Sequence, residues 1–201
     1  MSDQVLNVEK LYVDIPVSEG ILHAVDGISL HVNRGETLCI VGESGCGKSL
    51  TSLAIMDLLP KKAVRKVNSL ELCGESILEC TEQEMSDIRG NRMGMIFQEP
   101  MTSLNPSFTV ENQMVETLSR HRGVTGQEAS NLAVQMLERV GIEPATQRLR
   151  QYPHQLSGGL RQRVMIAMTL LCNPELIIAD EPTTALDVTI QAQILRLLRE
   201  L

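Results

Sequence analysis

The stretch ETLCIVGESGCGKSLTSLAIM, residues 36–56, decides the fold. A short apolar run, 37–41, ends at a glycine. The eight residues that follow, Gly42, Glu43, Ser44, Gly45, Cys46, Gly47, Lys48 and Ser49, match the spacing GxxxxGK[ST] in full. Glycines at these positions let consecutive backbone N–H groups curl around phosphate oxygens, and the helix starting there adds the positive end of its dipole. Lys48 is placed to reach the β- and γ-phosphates of a nucleoside triphosphate, and Ser49 to ligate Mg²⁺. Beyond Gly47, KSLTSLAIMDLLP carries Leu53, Met56 and Leu59 at helical spacing, with Pro60 as the stop. The expectation is a buried parallel strand, a phosphate loop, then a helix.

Outward from this centre the elements alternate. Towards the N-terminus, VLNVEKLYVDI and HAVDGISLHV read as β-branched strands, with NRG as a turn. On the other side VNSLELCG reads as a strand and turn, and Thr81 with Glu84 gives a capping-box signal. RMGMIF is a strand and QEPMTSLNP a polar loop. Thr109 and Thr125 (with Glu128 three residues on) open two helices, and Gly141 ends the second. Ser157 caps a helix running to about Cys172, and ELIIAD is a buried strand. Asp187 caps a last helix with Ile190, Ile194, Leu197, Leu198 and Leu201 on one face. These elements predict a parallel α/β core with a mostly helical insert from about Glu99 to Cys172, and a side sheet from the early strands.

Composition narrows the class. The chain has 201 residues, 43% hydrophobic and 21% charged, which suits a globular domain with a subdomain inserted. A net charge of −7 and an aromatic content of 2% argue against nucleic acid as partner, since neither phosphate neutralisation nor base stacking is provided for. The five cysteines form no CxxC, so neither a zinc site nor a disulfide framework is expected, and a reducing cytosol is the simple reading. The N-terminus MSDQVLNVEK lacks a signal-peptide core, and no apolar run is long enough to span a membrane.

Three further features carry chemistry. LIIADEP delivers Asp180 and Glu181 at the C-terminal end of an apolar strand, where ligands sit in open α/β sheets. Asp180 would hold Mg²⁺, and Glu181 would polarise an attacking water. Gln98, where the helical insert opens, is placed to sense the γ-phosphate or its Mg²⁺. In QLSGGLRQR, Ser157, Gly158 and Gly159 run into a helix and look like a second phosphate-binding turn.

In this order, GESGCGKS, FQEPMTSLNP, LSGG and LIIADEPTTALD resemble the ATP-binding subunits of ABC transporters. EPMTSLNP, YPHQLSGG and RQRVMIAM resemble the peptide/nickel importer branch within them. The resemblance covers nearly the whole chain. It implies a P-loop NTPase fold: a RecA-like parallel core with an N-terminal antiparallel β subdomain and an inserted helical subdomain. The chain would be one nucleotide-binding domain, 1–201, incomplete at its C-terminus, with core residues 1–98 and 173–201 and helical subdomain 99–172. ATP and Mg²⁺ would be the cofactors. Gly42 to Ser49 with Leu50 would bind this chain's own nucleotide, and Ser157, Gly158, Gly159 and Asp187 that of a second, identical or paralogous ATPase subunit. Glu181 and Gln98 would be catalytic, and Ser49, Gln98 and Asp180 would hold the metal. Two permease subunits and, indirectly, an extracytoplasmic solute-binding protein complete the implied partners, at the cytoplasmic face of the membrane.

The sequence departs from the family pattern in three places. All four histidines, His23, His31, His121 and His154, precede Glu181, so the family's switch histidine has no counterpart; the chain resembles a truncated member expected to bind ATP and hydrolyse it poorly. Ile15 falls near the position where relatives stack an aromatic on adenine, and Tyr12 lies three residues away. Cys46 puts a thiol inside the phosphate loop, beside a helix start and Lys48, where alkylation would block nucleotide binding. The alternative readings are a soluble ABC-type ATPase not tied to a membrane, or a non-hydrolysing truncated remnant. A P-loop kinase or GTPase would have no use for LSGG or the insert.

Overall fold

The computed structural model describes residues 3–99, 103–183 and 186–199, and the chain divides into two compact units, 1–86 and 87–201. The first unit is built on an antiparallel sheet of order β2-β1-β4-β5, with β3 also pairing with β1. β1 (Gln4–Val17) and β2 (Gly20–Asn33) form a long hairpin in which Val8 faces Leu30 and Val13 faces Val25. The register slips between Val8 and Leu11, where Lys10 takes a φ of 50° and its N–H turns to Ser29 Oγ at 2.9 Å. Across β1, β3 (Val64–Lys66) and β4 (Ser69–Leu72) add two short antiparallel ladders. Cys73 and Gly74, both at positive φ, make the tight two-residue turn into β5 (Glu75–Ser76). Val5, Leu6, Val8, Leu11, Val13, Leu70 and Leu72 are buried, so one face of this sheet is core.

α1 (Lys48–Ile55) follows the glycine loop. It ends five residues before Pro60. Asp57 takes a left-handed φ of 54°, Leu58 N–H bonds back to the Leu53 carbonyl at 2.8 Å, and Asp57 N–H reaches Ala54 O. That pair of bonds closes the helix locally, so Pro60 is not the stop and Leu59 lies outside the helix. α2 (Glu82–Ile88) starts with the expected reciprocal cap: Thr81 N–H donates to Glu84 Oε2 at 2.7 Å, and Glu84 N–H to Thr81 Oγ1 at 3.3 Å.

The second unit pairs β6 (Met93–Ile96) with β7 (Leu176–Ala179) in parallel, Met93 against Leu176 and Ile96 against Ala179. Parallel pairing demands a crossover, supplied here by helices. These are α3 (Val110–Arg122), α4 (Gly126–Arg139), α5 (Ala145–Leu149) and α6 (Gly158–Leu170), and α7 (Val188–Arg199) follows β7. Thr109 caps α3 by accepting Asn112 N–H, and Gly123, at φ 67°, ends it. Thr125 stands at the start of α4 without a side-chain cap bond, and Gly141 follows its end. Ile96, Val110, Met114, Leu137, Ile166 and Ile194 belong to one buried cluster. α6 lies close on β6: a Cβ on Gly94 would come within 2.6 Å of Thr169 Cγ2, and Thr169 Oγ1 donates to Met95 O at 3.2 Å. Only glycine permits that approach.

Two further expectations, both of burial, need correction. Residues 37–41 carry no strand, and Leu38, Ile40 and Val41 are 44%, 49% and 88% exposed. An apolar run becomes a buried strand only when strands on both sides satisfy its backbone, and no ladder reaches it among the described residues. β7 is likewise less buried than ELIIAD suggests: Leu176 is buried, Ile177 and Ile178 only half-buried, because β6 is its one described neighbour. Residues 100–102 of the polar loop, and Leu201 on the α7 face, lie outside the described residues.

Candidate functional site

In the first unit, residues 42–47 wrap over the start of α1. Gly45 and Gly47 take φ of 84° and 93°, and Gly47 occupies the N-cap position of α1. Alternation into left-handed backbone turns successive N–H groups towards one side, the geometry of an anion-binding nest. Gly47 is fixed sterically as well: a Cβ there would lie 2.3 Å from the Ala24 carbonyl oxygen on β2. Lys48 Nζ donates to the carbonyls of Gly42 and Glu43, both at 2.7 Å, and sits 3.8 Å from Cys46 Sγ. The ammonium thus rests in the mouth of its own loop. Ser49 and Leu50 follow half-buried in the first helical turn, and Glu43, Ser44 and Cys46 are exposed. Tyr12 packs on Gly27, whose added Cβ would meet Tyr12 Oη at 2.9 Å, so its ring serves the sheet.

The second unit brings Gln98 and Glu181 together, although 83 residues separate them: Gln98 Nε2 donates to Glu181 Oε2 at 3.0 Å. The parallel pairing of β6 and β7 does this, because both side chains follow the carboxyl ends of paired strands. Asp180 N–H continues the ladder to Ile96 O at 2.9 Å and leaves a half-buried carboxylate beside the pair in sequence. Among the described residues no three His, Cys, Asp or Glu side chains converge as a metal cage. Within this unit, Asp180 and Gln98 offer a carboxylate and an amide oxygen near one end of the strand pair, hard oxygen donors of the kind Mg²⁺ takes together with water and phosphate.

Ser157 caps α6, its Oγ accepting Leu160 N–H at 3.3 Å, and Gly158 has nothing within 4 Å of an added Cβ. Gly158 therefore presents open backbone at a helix start. Asp187 Oδ1 accepts Ile190 N–H at 3.1 Å and caps α7. Arg163 donates to the Gly141 carbonyl; burial pulls its guanidinium below its ordinary value, and the negative charge of Asp187 opposes that shift.

Sequence reasoning missed the buried glutamines. Gln162 is fully buried and donates to the Pro182 carbonyl, immediately after Glu181. Gln191, only half-buried, donates through Nε2 to Thr183 O and Leu186 O at 3.0 and 3.2 Å. Gln113 accepts Asn105 N–H and donates to the carbonyls of Asn105 and Phe108, tying the end of the loop after Gln98 to α3. A signal existed: Gln113 sits in the apolar stripe of Val110, Met114 and Leu118, and Gln162 in that of Met165 and Ile166. A polar side chain on a buried face needs a partner. Beside Gln113 an open groove of about 720 Å³ is lined by Asn105, Phe108, Thr117, Arg120 and His121. Burial lowers the His121 pKa, helped by the Arg120 cation and opposed by Asp87.

Residues 25–184 match the model of the ABC transporter family. The chain is 52% identical over 202 residues to the uncharacterized ABC transporter ATP-binding protein YejF of Escherichia coli, covering 100% of this chain and 38% of that one. It is 49% identical over 200 residues to the dipeptide transport ATP-binding protein DppD of Bacillus subtilis, covering 99% and 60%. Its fold matches the dimeric post-hydrolysis structure of the ATP-binding cassette MJ0796 bound to ADP and Pi, with TM-score 0.85, 29% identity and coverage of 96% and 81%. CbiO1 of Clostridium perfringens, part of a cbiONQ complex, matches with TM-score 0.74, 29% identity and coverage of 98% and 73%. The antiparallel sheet, parallel pair and helical crossover are those of an α/β phosphate-loop cassette. The chain belongs to the ABC transporter family. It spans about 40–60% of the length of these two curated relatives.

Proposed function

We propose that this chain is the nucleotide-binding part of an ABC importer ATPase that couples ATP binding and hydrolysis to peptide uptake. The carrying observation is the Gln98–Glu181 hydrogen bond at the carboxyl ends of paired parallel strands. It joins a general base to a residue able to report on the γ-phosphate and its metal. ATP phosphates would enter the glycine loop and replace at least one of the three contacts now made by Lys48 Nζ. Ser49, Gln98 and Asp180 would hold Mg²⁺, which neutralises developing phosphate charge. Glu181 would then take the proton of the attacking water.

The open start of α6 supports a two-subunit site, in which Ser157, Gly158, Gly159 and Asp187 would face the nucleotide of a second ATPase subunit. Core residues 1–98 and 173–201 and helical residues 99–172 would be its two working parts. The groove beside Gln113, walled by the loop after Gln98, suits contact with a membrane permease, and no helix of the described residues is long and apolar enough to cross a membrane itself. The chain would act at the cytoplasmic face, with a solute-binding protein outside and no nucleic acid partner. Peptide rather than nickel is favoured because relatives near 50% identity carry dipeptide and oligopeptide transport names.

The test uses the full-length protein with its permease. Wild type should hydrolyse ATP and import labelled peptide. Glu181→Gln should bind ATP with little turnover, and Lys48→Ala should lose binding. Undiminished hydrolysis in Glu181→Gln would reject the role of Glu181, and nickel uptake without peptide uptake would reject the substrate.

A further inference from the structure

We infer that Gln162 is a positioning residue for Glu181, through which α6 holds the catalytic turn in place. This rests on the ATPase reading above and deepens it.

Glu181 has a φ of 48°, a left-handed conformation that crowds the Cβ of an L residue against the following carbonyl oxygen. The residue before a proline is also steered away from the right-handed helical region, so Pro182 limits the alternatives. Such backbone persists only where its surroundings fix it on both sides. On the N-terminal side Asp180 N–H is pinned to Ile96 O at 2.9 Å, the last rung of the β6–β7 ladder. On the C-terminal side the Pro182 carbonyl accepts the side-chain amide of Gln162. Gln191 fastens the next carbonyl, that of Thr183, from α7.

Of these clamps only Gln162 comes from α6. It lies five residues after Ser157, about 7.5 Å along the helix axis. α6 is packed close on β6 through Thr169 and Gly94, so its start and Gln162 share one frame with the β6–β7 pair. Whatever engages the open start of α6 therefore acts, through Gln162 and the Pro182 carbonyl, on the backbone that aims the Glu181 carboxylate. The amide is fully buried, and a methionine of the same length would fill its space without the donor.

The experiment compares Gln162→Met and Gln162→Asn with wild type in the full-length protein. It measures ATP kcat, nucleotide affinity, melting temperature, and amide hydrogen exchange over residues 180–187. Displacing a catalytic group slightly costs about 10–100-fold in rate. The expected result is a kcat lowered by about that factor in Gln162→Met, nucleotide affinity within about twofold of wild type, faster exchange at Leu186 and Asp180, and partial recovery in Gln162→Asn. Wild-type kcat and exchange in Gln162→Met would overturn the inference. So would a rate loss matched by equal losses of nucleotide affinity and melting temperature, which marks a purely structural residue. If the wild-type protein lacks ATPase activity, the functional reading fails on that result alone, and the exchange rates still decide whether Gln162 holds the turn.

Discussion

Alanine at Gly45 and at Gly47 should have very different consequences, although both glycines lie in the same loop at similar φ. Gly45, at 84°, has no atom within 4 Å of an added Cβ, so Gly45→Ala meets only backbone strain. That strain is about 1–2 kcal/mol, or about 5–30-fold in ATP affinity if the bound loop keeps this shape. Gly47, at 93°, carries the same strain and a collision: the new Cβ would lie 2.3 Å from the Ala24 carbonyl oxygen. That oxygen is backbone of β2, at the register shift where Ala24 lies between the paired His23 and Val25, and backbone cannot swing aside as the end of a side chain does. The loop must shift instead by about 1 Å, enough to cost about 100-fold by itself in an oriented site. Strain and shift together exceed about 3 kcal/mol, or about 150-fold in Kd. Calorimetric titration of the full-length variants with ATP, paired with thermal melts, checks this. A folded Gly47→Ala protein binding within threefold of wild type would refute the steric reasoning, as would a larger loss in Gly45→Ala.

Other expectations follow from single contacts. Ser157→Ala loses the cap on Leu160 N–H, about 1 kcal/mol of helix stability, and should spare ATP binding by the isolated chain while impairing ATP-driven dimer formation seen by size-exclusion chromatography. His121 has a folded pKa below its unfolded value of 6.5, so the unfolded chain binds the proton first as pH falls; its contribution is intact above 6.5 and lost on acidification below it. His121→Gln should accordingly flatten the fall in melting temperature as the pH drops below about 6.5. Cys46 is exposed with its sulfur 3.8 Å from Lys48 Nζ, so alkylation should abolish ATP binding and ATP should slow labelling; equal labelling rates with and without ATP would sink this.

What the chain declares locally, it declares well. The phosphate loop, the Thr81–Glu84 box, the Ser157 and Asp187 caps and the Cys73–Gly74 turn all depend on bonds spanning a few residues, and their donors and acceptors are neighbours in sequence. Even the early end of α1 is local, closed by Leu58 on Leu53, although the conspicuous Pro60 hides it. Tertiary structure decided the rest. The run at 37–41 has strand composition and lacks the flanking ladder that would bury it, because sheet partners come from distant chain and no pattern in the run itself supplies them. Gln98 meets Glu181 across 83 residues only because β6 and β7 pair in parallel register. Gln162 becomes a clamp on the catalytic turn only because α6 delivers its amide to the Pro182 carbonyl. Short-range bonds are written in the sequence; long-range ones exist only once the sheet and the helix lying on it have formed.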